Sequence, residues 1–507
     1  MSKKNILSYF KKYTTHNLKK TKENSLLRFS ESAMVREHKR PGKLLVGLIF
    51  DCGVELKLAI AALLLFCCLL TFLQFVPTCF FPFYYPKSPS LEAVLKNGVI
   101  KRTFDTVGVA AYNFVLMSAY RSGPNSFAIN GLSSKPLHVF GNPTYNCEYR
   151  SHDNVTVPGP IAPGYVIIPD FGFGRVYTTV IITCTFDVDI KSVSNAGVGG
   201  RLLLHASVNG GYDTKVNTTD TVLALTESPN SWDISKFTNS TYKYDYFYCG
   251  SPLYGQVSPQ RVREWIAYHV RLFGERSHFA FYDAGGVHKD VMEVLKPWIE
   301  LGYVTVEDVR EQERFDAYYY NQFLTLNDCL HRYRFSTRWM FFFDVDEFVY
   351  LTAKDGSSFA DVMESLEGFT QFTFEQMPMS DHLCSTQDAH NASKKWGMEK
   401  LVYKSVKHEQ RNRKYAIQPR NVFAAGVHMT MKLKGETSHN VRHLLKYFHY
   451  HGTVAVRREP CRRFIDKTSI KVNNTPYVLD TRMKSIAPLV KSFELSTIGS
   501  RLELTKQ

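Results

Sequence analysis

Asp344-Val345-Asp346-Glu347 follows directly on Trp339-Met-Phe-Phe-Phe343, five apolar or aromatic residues that read as a buried strand. Carboxylates in that position emerge at the carboxyl end of a central strand, where open α/β sheets bind ligands. Alternate spacing on an extended backbone lets one carboxylate hold a hard divalent cation, Mg²⁺ or Mn²⁺, while the other reaches a ribose or a bridging water. Such a cation would neutralise charge developing on a departing diphosphate. Asp187-Val188-Asp189 repeats the three residues inside a β-rich stretch, without the apolar aromatic strand before it or Glu-Phe after it, and reads as a strand end or solvated turn.

The elements that must position Asp344 and Asp346 follow from the pattern after Asp245, where strands and helices alternate and predict a Rossmann-like, mostly parallel α/β sheet. Tyr246–Cys249 is the first strand. Ser258 and Pro259 open a helix by supplying a cap and a first-turn proline, Val262, Trp265, Ile266, Val270 and Phe273 follow at helical spacing, and Gly274 ends it. His278–Tyr282 is a strand that runs into Asp283 and a Gly285-Gly286 turn. A helix over about Lys289–Glu300, disturbed by Pro297, and a strand over Tyr303–Glu307 come next, and Phe323, Leu326 and Leu330 mark a third helix.

Upstream, residues 90–240 carry strand-like runs separated by Gly, Pro, Asn and Asp, and predict an all-β module of the β-sandwich type, serving as a glycan-binding module or as a structural stem. Residues 58–76 hold no charge over 19 positions, long enough to cross a bilayer as a helix. The 57 residues before them carry 13 Lys and Arg against 5 Asp and Glu, which places the tail in the cytosol and the bulk of the chain in a lumen. The expected organisation is thus a cytosolic tail (1–57), a type II signal anchor (58–76), a proline-bearing stalk (77–89), the β-rich module (90–240) and a catalytic domain (241–507). The tail accounts for +8 of the net +15, so a nucleic-acid partner is not indicated. Sequons at Asn154, Asn217, Asn239, Asn391 and Asn473 all follow the span, as do seven cysteines, an odd number whose pairing the sequence leaves open.

Taken together, Tyr248-Cys-Gly-Ser-Pro-Leu-Tyr254, Glu264-Trp265 with Tyr268-His269, His278–Asp283, Asn327-Asp-Cys-Leu330, Asp344-Val-Asp-Glu-Phe348 and His449-Tyr450 resemble glycosyltransferase family 92, and within it the plant β-1,4-galactan synthases. The resemblance implies a GT-A catalytic fold, UDP-galactose as donor, Mn²⁺ (or Mg²⁺) as cofactor, a galactan or oligosaccharide acceptor, inversion, and residence in the Golgi membrane. Asp344 and Asp346 would then hold metal and diphosphate, joined by a late histidine, His449 or His451, with His449 favoured. Asp283 would contact the nucleoside or cap a helix, and Ser251 and Pro252 would line the uracil pocket. Inversion asks for a base on the acceptor hydroxyl. Glu375, at the end of a Phe372–Glu375 strand, ranks first and Asp381 second. Lys414, Arg457 and Arg458 would assist the leaving phosphates or remain solvated. A homodimer is compatible with the sequence without being required. Two other readings stand beside this one: the same enzyme with a different UDP-sugar, and a lumenal glycan-binding protein that has lost the chemistry.

Overall fold

The computed structural model describes residues 62–66 and 91–502, apart from 108–112, 135–142, 153–155, 163, 167–175, 187–198, 210–216, 232, 239–240, 316–318, 354–355, 408–412 and 456–460. The expected tail and stalk, nearly all of the expected span, Asp187–Asp189, Cys79, Asn154, Asn239, Arg457 and Arg458 lie outside the described residues. Residues 62–66 are helical, and among the described residues no helix is long and apolar enough to cross a membrane.

Between residues 105 and 227 two antiparallel sheets share one core. One runs in the order Asp105–Val107, Phe114–Gly123, Ser126–Ser134, Tyr177–Thr185, Gly164–Val166, and the other Asn217–Glu227, Gly200–Asn209, Thr144–Ser151, Thr156–Ala162. Period-two alternation explains the packing: Tyr145, Cys147 and Tyr149 point inward with Leu202 and Leu204, and meet Phe114, Leu116, Phe127 and Ile129 of the facing sheet. A Cys147–Cys184 disulfide ties the two sheets together.

The large sheet contains, in order, Glu92–Val94, Ile100–Arg102, Val304–Asp308, Ser277–Asp283, Tyr244–Cys249, Thr337–Phe342, Arg413–Ile417, Gln371–Pro378, Leu445–His449 and Glu347–Leu351. From Ile100–Arg102 to Thr337–Phe342 neighbouring strands are parallel. Beyond that the sheet is mixed, since Arg413–Ile417 runs antiparallel to both of its neighbours. The expectation of a mostly parallel sheet therefore holds for one half only. Parallel strands need long crossovers, and between Asp346 and the strand Leu445–His449 the α-helices Phe359–Ser365 and Gly397–Lys400 are only 7 and 4 residues long. The helices before it are Pro259–Phe273, Lys289–Glu300 and Gln322–Tyr333. Ser258 caps the first by accepting from the Arg261 amide, and Gly274 ends it at φ 81°. Cys249–Cys329 and Cys384–Cys461 complete three disulfides among the described residues.

His269 on the first helix shows how tightly the strand behind the metal-type motif is held. Its Nε2 accepts from the Val349 amide at 3.2 Å and its Nδ1 lies 2.9 Å from the Trp265 carbonyl, so the buried ring is neutral with its proton on Nδ1. Burial lowers its pKa from 6.5 to about 3, against the pull of the Trp265 carbonyl. Because the unfolded chain then binds the proton first, this ring's contribution to stability is full above about pH 6.5 and falls as pH drops toward 3, by about 2 kcal/mol at pH 5. His269→Gln is expected to lose less thermal stability between pH 7 and pH 5 than the parent chain; equal losses would show that the ring is not held neutral.

Candidate active site

The motif emerges where the sequence places it, two residues past the end of the strand Thr337–Phe342. Trp339, Met340 and Phe341 are fully buried, which is why the strand reads as an unbroken apolar run. Past Phe343 the chain turns sharply: the Glu347 amide donates to the Asp344 carbonyl at 3.0 Å, and the Glu347 carboxylate accepts from the Asp344 amide at 2.7 Å. Trp265 pins this turn from the helix above, its Nε1–H donating to the carbonyls of Glu347 (2.9 Å) and Asp344 (3.2 Å).

The two aspartates have different surroundings. Asp344 accepts from Ser251 Oγ at 2.5 Å and from Lys414 Nζ at 2.7 Å, and Gln322 donates to the same serine hydroxyl. Burial works to raise the Asp344 pKa, but the Lys414 charge and these two hydrogen bonds outweigh it and hold the carboxyl at about 2. Lys414 also lies 3.3 Å from Glu347. Burial would lower the ammonium's pKa, yet Asp344 and Glu347 together raise it, so it stays charged. Glu347 is pushed well above the ordinary carboxylate range by burial, and further by Asp344 and Asp346, against Lys414.

Asp346 turns to the other side and meets the late histidines. Strand Glu347–Leu351 pairs antiparallel with Leu445–His449, setting Glu347 opposite His449. One ligand atom from each of Asp346, His449 and His451 lies within 4.8 Å of the others. His449 Nδ1 is 3.0 Å from Gln376 Oε1, an acceptor, so Nδ1 carries the proton. The bare Nε2 then faces carboxylate oxygens of Asp346 at 3.7 Å and Glu347 at 3.8 Å. The Nε2 lone pair confronting the Asp346 carboxylate across such a gap is what a cation reconciles, and burial lowers the His449 pKa, favouring the neutral ring that a ligand must be. Asp344 is not part of this group.

The remaining expected residues divide. Ser251 bridges Gln322 and Asp344, and Pro252 is buried beside it. Asp283 spends one carboxylate oxygen on the amides of Gly285 (2.8 Å) and Val287 (2.9 Å), organising the turn into the next helix. Glu375 sits across from Arg413 in the strand register, while Lys414 sits across from Phe374, so Glu375 lies on the sheet face opposite Lys414. Its Oε1 accepts from Arg413 at 3.1 Å, and its buried Oε2 has no hydrogen-bond partner among the described residues. Asp381 lies past the end of the strand that carries Gln376, bound to His382 Nδ1 at 2.5 Å and to Arg462 at 3.2 Å.

Residues 244–486 match glycosyltransferase family 92. Across almost the whole chain there is a second likeness: 52% identity over 510 residues, 94% of this chain and 100% of the relative, to the galactan β-1,4-galactosyltransferase GALS3 of Arabidopsis thaliana. The chain belongs to glycosyltransferase family 92. Two further Arabidopsis thaliana proteins named galactan β-1,4-galactosyltransferases, GALS2 and GALS1, share 56% identity over 414 residues (80% of this chain, 78% of the relative) and 45% over 405 residues (79% of each). As a member of this family the chain is an enzyme, a glycosyltransferase, and the reading of a glycan-binding protein without chemistry is set aside. The family match runs from the strand Tyr244–Cys249 into the final helix, Arg482–Ile498, and so takes in Ser251, Asp344, Asp346, Lys414 and both late histidines. Reasoning from sequence did not single out Gln376 or Gln322, and it named Glu347 only as part of the motif, with no role of its own; Gln376 was open to discovery only through its place beside Glu375 on a strand paired with the His449 strand.

Proposed function

We propose that this family 92 glycosyltransferase is an inverting, metal-dependent galactosyltransferase that moves galactose from UDP-galactose to β-1,4-galactan. The observation that carries the reading is the convergence of Asp346, His449 and His451 at the carboxyl edge of the sheet, beside a buried lysine that already neutralises Asp344 and also contacts Glu347. One carboxylate and two imidazoles suit Mn²⁺ better than Mg²⁺, which prefers oxygen ligands. When bound there, the ion would supply Lewis-acid stabilisation of the leaving diphosphate.

The chain's own groups do the rest. Gln376 fixes the His449 tautomer, Trp265 holds the turn that aims Asp346, and Lys414 keeps Asp344 ionised while leaving Asp346 as the aspartate turned to the histidines. Donor and acceptor are proposed from the names of the three Arabidopsis thaliana relatives. A GT-A arrangement is proposed with them, the parallel strands and the carboxyl-edge aspartates supporting it. So is a type II Golgi location, for which the apolar run 58–76, the one-sided sequons and the three disulfides speak.

The test is to incubate the full-length chain with β-1,4-galacto-oligosaccharides and a panel of UDP-sugars, with Mn²⁺, with Mg²⁺ and with a chelator. UDP-galactose with Mn²⁺ is expected to be turned over fastest, to give a β-linked product, and to stop on chelation. Undiminished transfer in chelator would overturn the metal reading, and preference for another sugar would overturn the donor.

A further inference from the structure

Both acids expected to activate the acceptor are committed elsewhere, Glu375 to Arg413 on the far face and Asp381 to His382 and Arg462. Another group stands at the edge where Asp344 emerges. His428 lies on the loop between strands Val422–Ala424 and Lys432–Leu433 and is exposed to solvent. Its Nδ1 is 3.0 Å from the Arg413 carbonyl, the residue before Lys414. A carbonyl only accepts, so Nδ1 carries the proton and Nε2 keeps a bare lone pair. Phe342 pairs with Tyr415, so the Arg413 end of that strand lies at the carboxyl edge from which Asp344 emerges, and the next residue, Lys414, reaches Asp344 at 2.7 Å; the Arg413 contact therefore seats His428 at the same edge. Partial burial of the ring, and then the Lys414 charge, lower its pKa, so the ring is neutral near pH 7.

The loop is braced from three directions. Tyr415 donates to the Gly426 carbonyl at 2.5 Å, the Thr430 amide donates to Gln371 Oε1 at 2.8 Å, and Tyr165 of the β-rich part donates to the Met431 carbonyl at 3.1 Å. Met429 and Met431, 45% and 40% exposed, follow His428 on the same loop and give it an accessible apolar surface. A neutral ring offering only an acceptor has nothing to give a phosphate oxygen; it suits a hydroxyl.

We propose that His428 is a catalytic residue on the acceptor side, its Nε2 receiving the proton of the sugar hydroxyl that attacks the donor. The assignment rests on the transfer reading above. In the step, the hydroxyl O–H bond breaks with its proton passing to Nε2, and the oxygen forms the new bond to the anomeric carbon. The bond from that carbon to the diphosphate oxygen breaks, its electron pair leaving on the nucleotide. His428→Asn retains a donor for the Arg413 carbonyl and removes Nε2, so the loop keeps its anchor while the base is lost.

The experiment measures, on the full-length chain, elongation of a β-1,4-galacto-oligosaccharide and, by calorimetry, Mn²⁺-dependent binding of UDP. For His428→Asn, elongation is expected to fall about 100-fold or more, the usual scale of one general base, with UDP affinity within about threefold of the parent. Elongation retained within threefold, or UDP affinity falling in step with it, would overturn the assignment. If the parent chain itself neither binds UDP with Mn²⁺ nor elongates the oligosaccharide, the donor reading fails, and the His428 assignment with it; that outcome is distinct from a failure confined to the variant.

Discussion

Asp346→Ala is expected to lower transfer by at least about 1,000-fold, with the fold intact, because it removes the only carboxylate in a three-ligand group whose other members are histidines. The loss should not be recovered by raising Mn²⁺. Gln376→Leu offers a graded comparison. Its amide oxygen holds His449 at Nδ1, so losing it frees the ring without deleting a ligand. Partners of that kind are worth about 10–100-fold in metal affinity, and here added Mn²⁺ should restore most of the activity. Asp344→Asn is expected to act differently again: Lys414 keeps Glu347 as a partner, the Ser251 hydroxyl loses an ionised acceptor, and Mn²⁺ affinity changes less than in Asp346→Ala. Steady-state rates across a Mn²⁺ titration separate the three. An Asp346→Ala chain with more than a tenth of parental activity would show that the cation, if there is one, is held elsewhere.

The sequence could locate this motif but not divide its two aspartates. An apolar run ending in acids marks the carboxyl edge of a buried strand by composition alone, and the helix starts and stops around it are local signals: Ser258-Pro259 and Gly274 specify a helix within one stretch of chain. What distinguishes Asp344 from Asp346 is Lys414, 70 residues downstream of Asp344, and His449, brought opposite Glu347 by an antiparallel pairing. Strand pairing of that range leaves no trace in periodicity. The same limit explains Glu375. An acid at a strand end looks poised for catalysis until the register shows which face it occupies, and one position in a period of two reverses the answer. Cysteine pairing is likewise a property of the folded chain, with partners 37, 80 and 77 residues apart.

Arg102→Met is expected to be the most destabilising single change, by about 3–5 kcal/mol, although residue 102 lies in no motif. Its buried guanidinium donates to both oxygens of Asp328, at 3.0 and 3.1 Å, and bonds Glu307 as well. Tyr120 and Tyr282 each add a hydroxyl to Asp328 at 2.7 Å. Burial would raise the Asp328 pKa, but Arg102 and then Arg332 hold it far below the ordinary range, so Asp328 is the ionised member; Glu307 is raised, by burial first and by Asp328. Without Arg102, Asp328 would be a buried charge with no cation in contact, while Glu307 still has Arg332 at 3.3 Å. The double variant Arg102→Met/Asp328→Leu removes that orphan and should recover part of the loss, as apolar replacement of buried pairs commonly does. The consequence reaches the active site, because Asp328 belongs to the helix that begins at Gln322, the donor to the Ser251 hydroxyl that in turn binds Asp344. Tyr120 comes from the β-rich sheets, so this cluster also fixes them to the catalytic sheet through the same helix. Thermal unfolding of the three chains decides the matter: an Arg102→Met midpoint within a degree of the parent, or a double variant less stable than the single one, would show that the cluster does not hold the helix through its charge.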